Sequence, residues 1–262
     1  MSIGGGGLRI GIGGAVVLLV LSLVTGQNWF ALLPGLVETG SQQQTSAPSN
    51  EDEPMVQFVS FVLDDVQNTW TKIFPVAGRN YERCKLVLFT DRVRSDCGYA
   101  ESAMGPFYCP VDRKAYIDLG FYRELRARFG APGDFAQAYV LAHEIGHHVQ
   151  NLLGLSEQIA SAQRRHPDQA NRLSVLLELQ ADCFAGVWGH STEQRDILEK
   201  GDVEEGIQAA AAVGDDRIQK QAGAAVNPET WTHGSSKQRV EWFQRGLRGG
   251  RVADCNTFAA EG

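Results

Sequence analysis

The segment His143–His147 reads HEIGH and combines two imidazoles with a carboxylate at a spacing that suits metal chemistry. Residues four apart lie on one face of an α-helix, so His143 and His147 can bind the same metal ion. Glu144 can then face a water molecule on that ion and act as its general base, as in zinc hydrolases. The sequence therefore predicts two metal ligands and a catalytic Glu144.

A third ligand is needed, because catalytic zinc commonly takes two histidines and one glutamate and leaves a position for water. The stretch Leu176–Gly186 has the apolar spacing of a helix, and Glu178 and Asp182 share one side of it. We expect Glu178 to complete a site for one Zn²⁺ ion and Asp182 to accept a hydrogen bond from a ligand histidine. Alternatively, both acids are surface residues of an amphipathic helix.

Other ligand sets fit the sequence less well. The metzincin motif requires a glycine and a histidine where this chain has Gln150 and Leu153. His148 points about 100° away from His147 on a helix, which favours an outer hydrogen-bond partner or a surface residue. No C-x-x-C pair is present in the sequence. Two further histidines occupy positions where solvation is the simpler expectation, a polar loop and a helix end: His166 and His190.

Four segments of the chain carry a resemblance to a known family. They are Gly105–Pro110, His143–Gln150, Glu178–Asp182 and Thr232–Gly234. Together they resemble the neutral zinc metallopeptidases of the YpfJ type, within the gluzincin group that includes thermolysin. The resemblance spans roughly Met55 to Phe258 and implies a zincin-like, minimal gluzincin domain.

The last three segments are also similar to membrane-bound gluzincins, which have a T-H-P segment and an arginine six residues after that histidine. Here Gly234 replaces the proline. The resemblance implies that His233 and Arg239 lie beside the site, with His233 as the donor that stabilises an oxyanion. His233 could instead only satisfy a turn. Arg239 could orient Asp182, bind substrate, or be a solvated residue of the amphipathic helix Ser235–Arg245.

A possible substrate-binding strand follows from the run Ala115–Leu119, which alternates apolar and polar residues. Proteases often hold an extended peptide against a sheet edge through main-chain hydrogen bonds. An interior strand would show the same pattern. The family resemblance favours the edge.

The remaining periodicity predicts an α+β fold, mainly helical, with a small antiparallel sheet. Helices are expected at Val56–Phe74, Phe121–Phe129, Asp134–Leu153, Asn171–Trp188, Val203–Gln221 and Ser235–Arg245, and strands near Leu86–Thr90 and Ala115–Leu119.

The amino-terminal part predicts a membrane anchor before this domain. An uncharged apolar run, Ile10–Val24, extends through Leu33 to about the twenty residues that a bilayer requires. A cleaved signal peptide is the alternative, but no A-x-A site follows the run. Arg9 before the run places the amino terminus in the cytoplasm and the rest outside it. We therefore divide the chain into a cytoplasmic stub with a transmembrane helix (1–37), a flexible linker (38–54) and a metallopeptidase domain (55–262).

Five cysteines bear on the compartment, because disulfides persist outside the cytosol. Cys97 can pair with Cys109 across a loop, and Cys183 can pair with Cys255, which leaves Cys84 unpaired. The alternative is five buried thiols in a cytoplasmic enzyme.

Charge and motifs together indicate the function. A net charge of -7 without a basic patch argues against a nucleic-acid partner. We expect a single-pass, membrane-anchored zinc endopeptidase that acts outside the cytoplasm on a peptide or protein substrate. The alternatives are a non-catalytic, zinc-braced adaptor of the cell envelope and a zinc amidase that acts on cell-wall peptides.

Overall fold

Helices make up most of the computed structural model over the residues that it describes, 53–101, 105–122 and 133–259. The α-helices are α1 (Glu53–Val76), α2 (Asp134–Leu152), α3 (Leu155–Arg165), α4 (Ala170–Glu193), α5 (Asp202–Ala212), α6 (Asp215–Gln221) and α7 (Ser236–Gly249). Short 3₁₀ helices occur at Pro167–Gln169, Pro228–Thr230 and Val252–Cys255. The prediction of a mainly helical α+β fold is confirmed.

Two details of the helix prediction differ from the structure. The expected helix Val203–Gln221 is divided into α5 and α6, because Gly214 has extended backbone between them (φ -74°, ψ 140°). Helix α3 was not expected. Of the predicted helix Phe121–Phe129, residues 121 and 122 are helical and 123–129 lie outside the described residues.

The strands form two small sheets. They are β1 (Lys85–Phe89), β2 (Arg92–Ser95), β3 (Gly98–Glu101), β4 (Phe107–Cys109) and β5 (Lys114–Asp118). The first sheet has the order β1-β5-β4, with β1 parallel to β5 and β4 antiparallel to it. Strands β2 and β3 form an antiparallel pair. The expected small antiparallel sheet is therefore found in the pairs β4–β5 and β2–β3, whereas the parallel pairing of β1 with β5 was not expected, since side-chain alternation carries no information on strand direction.

Strand β5 lies between β1 and β4, so the prediction that Ala115–Leu119 is the substrate-binding edge is wrong. All five of these residues are buried, as expected for an interior strand covered on both faces. The edge of this sheet on the other side of β5 from β1 is β4.

Helix α2 is buried along nearly its whole length, and it packs against α1, α4, α5, β4 and β5. Polar side chains on such a helix need partners inside the protein, because water does not reach them. The chemistry-bearing residues of α2 are therefore held by neighbouring elements.

Helices α4 and α7 approach each other closely through two glycines. A Cβ atom on Gly246 would overlap the carbonyl oxygen of Cys183, and one on Gly186 would overlap that of Phe243. Helix α7 begins with a capping box in which Ser235 and Gln238 satisfy each other's backbone N–H groups. The close approach brings Arg239, near the start of α7, within reach of α4.

We expect Gly246→Ala to destabilise the fold by about 1–3 kcal/mol, because the added methyl forces two backbones apart. The free energy of unfolding, measured by urea denaturation, tests this. Gly249→Ala on the same helix is the control, since its nearest obstacle is the Asp254 carboxylate, which can rotate away. Equal stability of the two variants would contradict the close contact.

The cysteines pair as expected. Cys97 is bonded to Cys109 and Cys183 to Cys255, while Cys84 is buried and takes part in no disulfide. The second bond closes a separation of 72 residues and fixes the 3₁₀ helix Val252–Cys255 to α4.

The expected membrane anchor lies outside the described residues, as does most of the linker. Within the part of the chain that the structure describes, no helix has both the length and the apolar character needed to cross a bilayer.

Candidate active site

The three predicted ligands converge between α2 and α4. His143 Nε2 lies 3.1 Å from Glu178 Oε2, and His147 Nε2 lies 3.3 Å from Glu178 Oε1. One ligand atom from each residue falls within 4.8 Å of the others. Helical spacing on α2 aligns the histidines, and the packing of α4 on α2 supplies the glutamate.

This geometry fits a zinc ion. With bonds of about 2.0–2.1 Å, ligand atoms of a tetrahedral zinc site lie about 3.3 Å apart. Glu144 adds a second observation: its Oε2 atom is buried and has no hydrogen-bond partner among the described residues. A buried carboxylate oxygen normally has such a partner. A water molecule bound to a metal ion at this centre would provide one.

The Asp182 carboxylate positions His143 by binding Nδ1, the ring nitrogen that does not face Glu178. It is fully buried and accepts hydrogen bonds from His143 Nδ1 (2.8 Å), from the Tyr139 hydroxyl, and from Nε and Nη2 of Arg239 (2.8 and 2.9 Å). With Nδ1–H donated to Asp182, Nε2 of His143 carries the lone pair that a metal requires. Arg239 is only 3% exposed, so the alternative of a solvated arginine is wrong.

The side-chain amide of Gln150 positions His147. Its Nδ1 lies 2.9 Å from Oε1 of Gln150, one turn further along α2. Gln150 had no predicted role at the metal site, although it lies in the segment His143–Gln150 that carries the family resemblance. Its i+3 spacing from His147 was the available signal.

The other histidines do not join this cluster. His148 is fully buried, with Nδ1 3.0 Å from the Tyr108 hydroxyl and Nε2 2.7 Å from the Glu82 carbonyl, so the surface alternative is wrong. His166 is exposed, and His190 binds the Leu247 carbonyl.

The two carboxylates at the centre have opposite pKa shifts. Burial raises the pKa of Glu144, and the charges of His143 and His147 offset this only in part. Burial acts on Glu178 in the same direction, but the two histidines outweigh it and hold its pKa well below the usual range. Glu178 therefore stays anionic, while Glu144 is able to take up a proton.

A cavity of about 660 Å³ opens at this centre, within the range of small-molecule and peptide sites. It is lined by the ligand cluster, by Glu144 and by His233. Phe107 and Tyr108 of β4 form part of one wall, and Val213 and Ile218 contribute to another.

Asp215, which sequence reasoning missed, positions the His233 loop. Its Oδ2 accepts the backbone N–H groups of Thr232, His233 and Gly234 at 2.9, 2.7 and 3.0 Å, and its Oδ1 lies 3.2 Å from His233 Nδ1. The hydrogen bond to Asp215 raises the pKa of His233, against the opposing effect of burial. The Thr232 hydroxyl also lies 3.1 Å from His233 Nδ1, so these two groups orient the half-exposed His233 side chain at the cavity.

The difference between Gly234 and the proline of the T-H-P pattern has a backbone cause. Gly234 has φ +90°, which proline, fixed near -65°, cannot adopt. The loop is therefore built differently from a T-H-P segment.

A helix bearing H-E-x-x-H opposite a glutamate on a second helix is the arrangement of zinc metallopeptidases. The chain belongs to the family described as "Putative neutral zinc metallopeptidase", which matches residues 1–258. The predicted family resemblance is thus confirmed.

The chain is also similar to bacterial proteins. The chain is 47% identical over 262 residues to "Uncharacterized protein YpfJ" of Escherichia coli (strain K12), covering 98% of this chain and 91% of YpfJ. It is 45% identical over 208 residues to "Uncharacterized protein Rv2575" of Mycobacterium tuberculosis (strain H37Rv) and "Uncharacterized protein Mb2605" of Mycobacterium bovis, covering 75% of this chain and 68% of each. No solved structure gave a significant match.

Proposed function

We propose that this protein is a zinc-dependent endopeptidase in which His143, His147 and Glu178 hold one Zn²⁺ ion and Glu144 is the general base. The observation that carries the proposal is the convergence of the three ligand atoms beside a buried Glu144 oxygen that has no partner among the described residues. The cavity at this centre has room for a peptide segment.

Bound zinc would polarise a carbonyl oxygen and make a water molecule more acidic. Glu144 accepts the proton of the attacking water and returns it to the amine that leaves. The raised pKa of Glu144 suits this exchange, because a carboxylate with an ordinary pKa holds a proton too weakly near neutral pH.

Two further groups act on the reacting atoms or on the ligands. His233 donates from Nε2 to the developing oxyanion, since Nδ1 is engaged with Asp215. Arg239 neutralises Asp182, which in turn orients His143. Arg239 is thus a positioning residue.

Strand β4 is the candidate substrate edge in place of β5. It is the terminal strand of its sheet, and Phe107 and Tyr108 also line the cavity. An extended peptide laid along β4 would pass the metal centre with its main chain hydrogen-bonded.

A chelator experiment on the full chain in detergent tests the proposal. We expect one zinc ion per chain, cleavage of casein, loss of cleavage on chelation and recovery on adding zinc. Cleavage that persists after complete zinc removal would contradict it.

Muropeptides as substrates distinguish the amidase alternative. The zinc-braced adaptor would require a fourth protein ligand, whereas the cluster holds three within the described ranges.

The compartment is part of the proposal. The apolar run over residues 10–33 would anchor the chain in a membrane, with the domain 55–262 on the extracytoplasmic side. The two disulfides support an oxidising location. Retention in the membrane fraction after carbonate washing, and its loss when residues 10–33 are deleted, is the expected result.

Asp215→Asn should move the alkaline limb of the kcat profile to lower pH. The raised pKa keeps His233 protonated to higher pH, and donation from Nε2 is lost as pH rises through that pKa. Removing the Asp215 charge lowers the pKa of His233, so donation from Nε2 is lost at a lower pH. The exposed Asp168→Asn is the control. A pH profile of Asp215→Asn that matches wild type would exclude this role.

A further inference from the structure

Two buried glutamines connect the metal centre to the carboxyl-terminal part of the chain. Gln150 Oε1 accepts from His147 Nδ1 at 2.9 Å, Gln150 Nε2 donates to Gln180 Oε1 at 3.1 Å, and Gln180 Nε2 donates to the Cys255 carbonyl at 3.0 Å. The glutamines are 1% and 5% exposed. These four residues form an unbroken series of hydrogen bonds, called here the amide relay.

The amide relay has a defined direction. A backbone carbonyl can only accept, so Cys255 requires the nitrogen of Gln180 to face it, which turns the oxygen of Gln180 toward Gln150. Gln150 must then present its nitrogen to Gln180 and its oxygen to His147. The orientation of both amides therefore selects the His147 tautomer with a proton on Nδ1 and a lone pair on Nε2.

The two ligand histidines are consequently fixed in different ways. His143 faces the carboxylate of Asp182, which accepts with either oxygen and needs no orientation. His147 faces the Gln150 amide, whose orientation matters. If that amide is flipped, its NH₂ group faces Nδ1, the ring proton moves to Nε2, and Nε2 can no longer bind a metal. Gln150 has one further anchor, a 2.7 Å hydrogen bond from Nε2 to the Leu177 carbonyl.

The end of the relay is held firmly against α4. Cys255 is bonded to Cys183, and the Thr257 hydroxyl donates to the Leu176 carbonyl at 2.8 Å. Both tethers are on the helix that carries Glu178 and Gln180. The position of the Cys255 carbonyl is thus set by the same element that supplies the third ligand.

We propose that Gln150 and Gln180 are positioning residues for His147, and that the Cys183–Cys255 bond supports zinc affinity by holding the far end of the amide relay. This inference rests on the proposed zinc site. Gln150 contacts His147 directly, so its loss has the larger effect on zinc affinity. Loss of Gln180 or of the disulfide has a smaller effect, because Gln150 keeps its hydrogen bond to the Leu177 carbonyl.

Zinc affinity of the full chain in detergent, measured by competition with a chromogenic chelator, tests the proposal without relying on activity. We expect Gln150→Leu to weaken zinc binding roughly 10- to 100-fold, the usual effect of losing an outer partner of a ligand histidine. Gln180→Leu and the pair Cys183→Ala with Cys255→Ala should weaken it less. Gln137→Leu, a buried glutamine of α2 outside the relay, and the pair Cys97→Ala with Cys109→Ala should bind zinc as wild type does.

Coupling between the variants separates the relay from a general loss of stability. If Gln180 acts through Gln150, Gln180→Leu has no further effect on zinc affinity in the Gln150→Leu background. Additive losses, or wild-type zinc affinity in Gln180→Leu, would overturn the relay. A wild-type chain that binds no zinc would instead overturn the proposed function. If Gln150→Leu does not fold, the same comparison between Gln180→Leu and the Cys183/Cys255 pair decides, because the disulfide acts on His147 only through the hydrogen bond from Gln180 to the Cys255 carbonyl.

Discussion

Glu144→Gln should lower kcat for peptide cleavage by roughly 10²- to 10⁴-fold while the protein keeps its zinc. The amide has the shape of the carboxylate but cannot take the proton from the attacking water. Glu144 is outside the ligand cluster, so the metal remains bound. Its Oε2 has no hydrogen-bond partner among the described residues, so the change breaks no contact at that atom.

Steady-state kinetics on a fluorogenic peptide, with zinc content measured on the same sample, tests this expectation. Glu193→Gln, an exposed glutamate on α4, is the matched control and should retain wild-type kcat. A zinc-loaded Glu144→Gln variant that cleaves as fast as wild type would remove Glu144 from the mechanism.

Glu178→Gln should produce the opposite pattern, with the main loss in metal binding. Glu178 is the anionic member of the cluster and contacts both imidazoles, at 3.1 and 3.3 Å. An amide removes that charge, so zinc affinity should fall by more than the roughly 10- to 100-fold that loss of an outer partner costs. Activity at limiting zinc should disappear and return in part with excess zinc.

Competition with a chelator measures the zinc affinity of the variant. Glu193→Gln on the same helix again serves as the control. Unchanged zinc affinity in Glu178→Gln would show that another group completes the site.

Local spacing accounts for what the sequence predicted. His143, His147, Glu178 and Asp182 lie at i, i+4 separations on two helices, and the structure brings all four together. Spacing within one helix fixes which side chains share a face, whichever way the helices pack.

Long-range packing explains what was missed. Asp215 becomes visible only when its helix meets the site, and strand order cannot be read from the alternation in β5. Tyr139 lies one turn before His143 on α2, so its i, i+4 spacing was an available signal. Arg239 also left a signal. It shares the buried face of α7 with Phe243 and Gly246, and an arginine on an apolar face requires a buried acid.

The buried ion pair between Asp182 and Arg239 has a consequence for biosynthesis. The two residues are 57 positions apart, and Asp182 is made first. Until Arg239 has left the ribosome, the carboxylate behind His143 has no guanidinium to balance its charge, and an unpaired buried charge is strongly unfavourable. We therefore expect the support for His143 to be complete only after this late helix has docked.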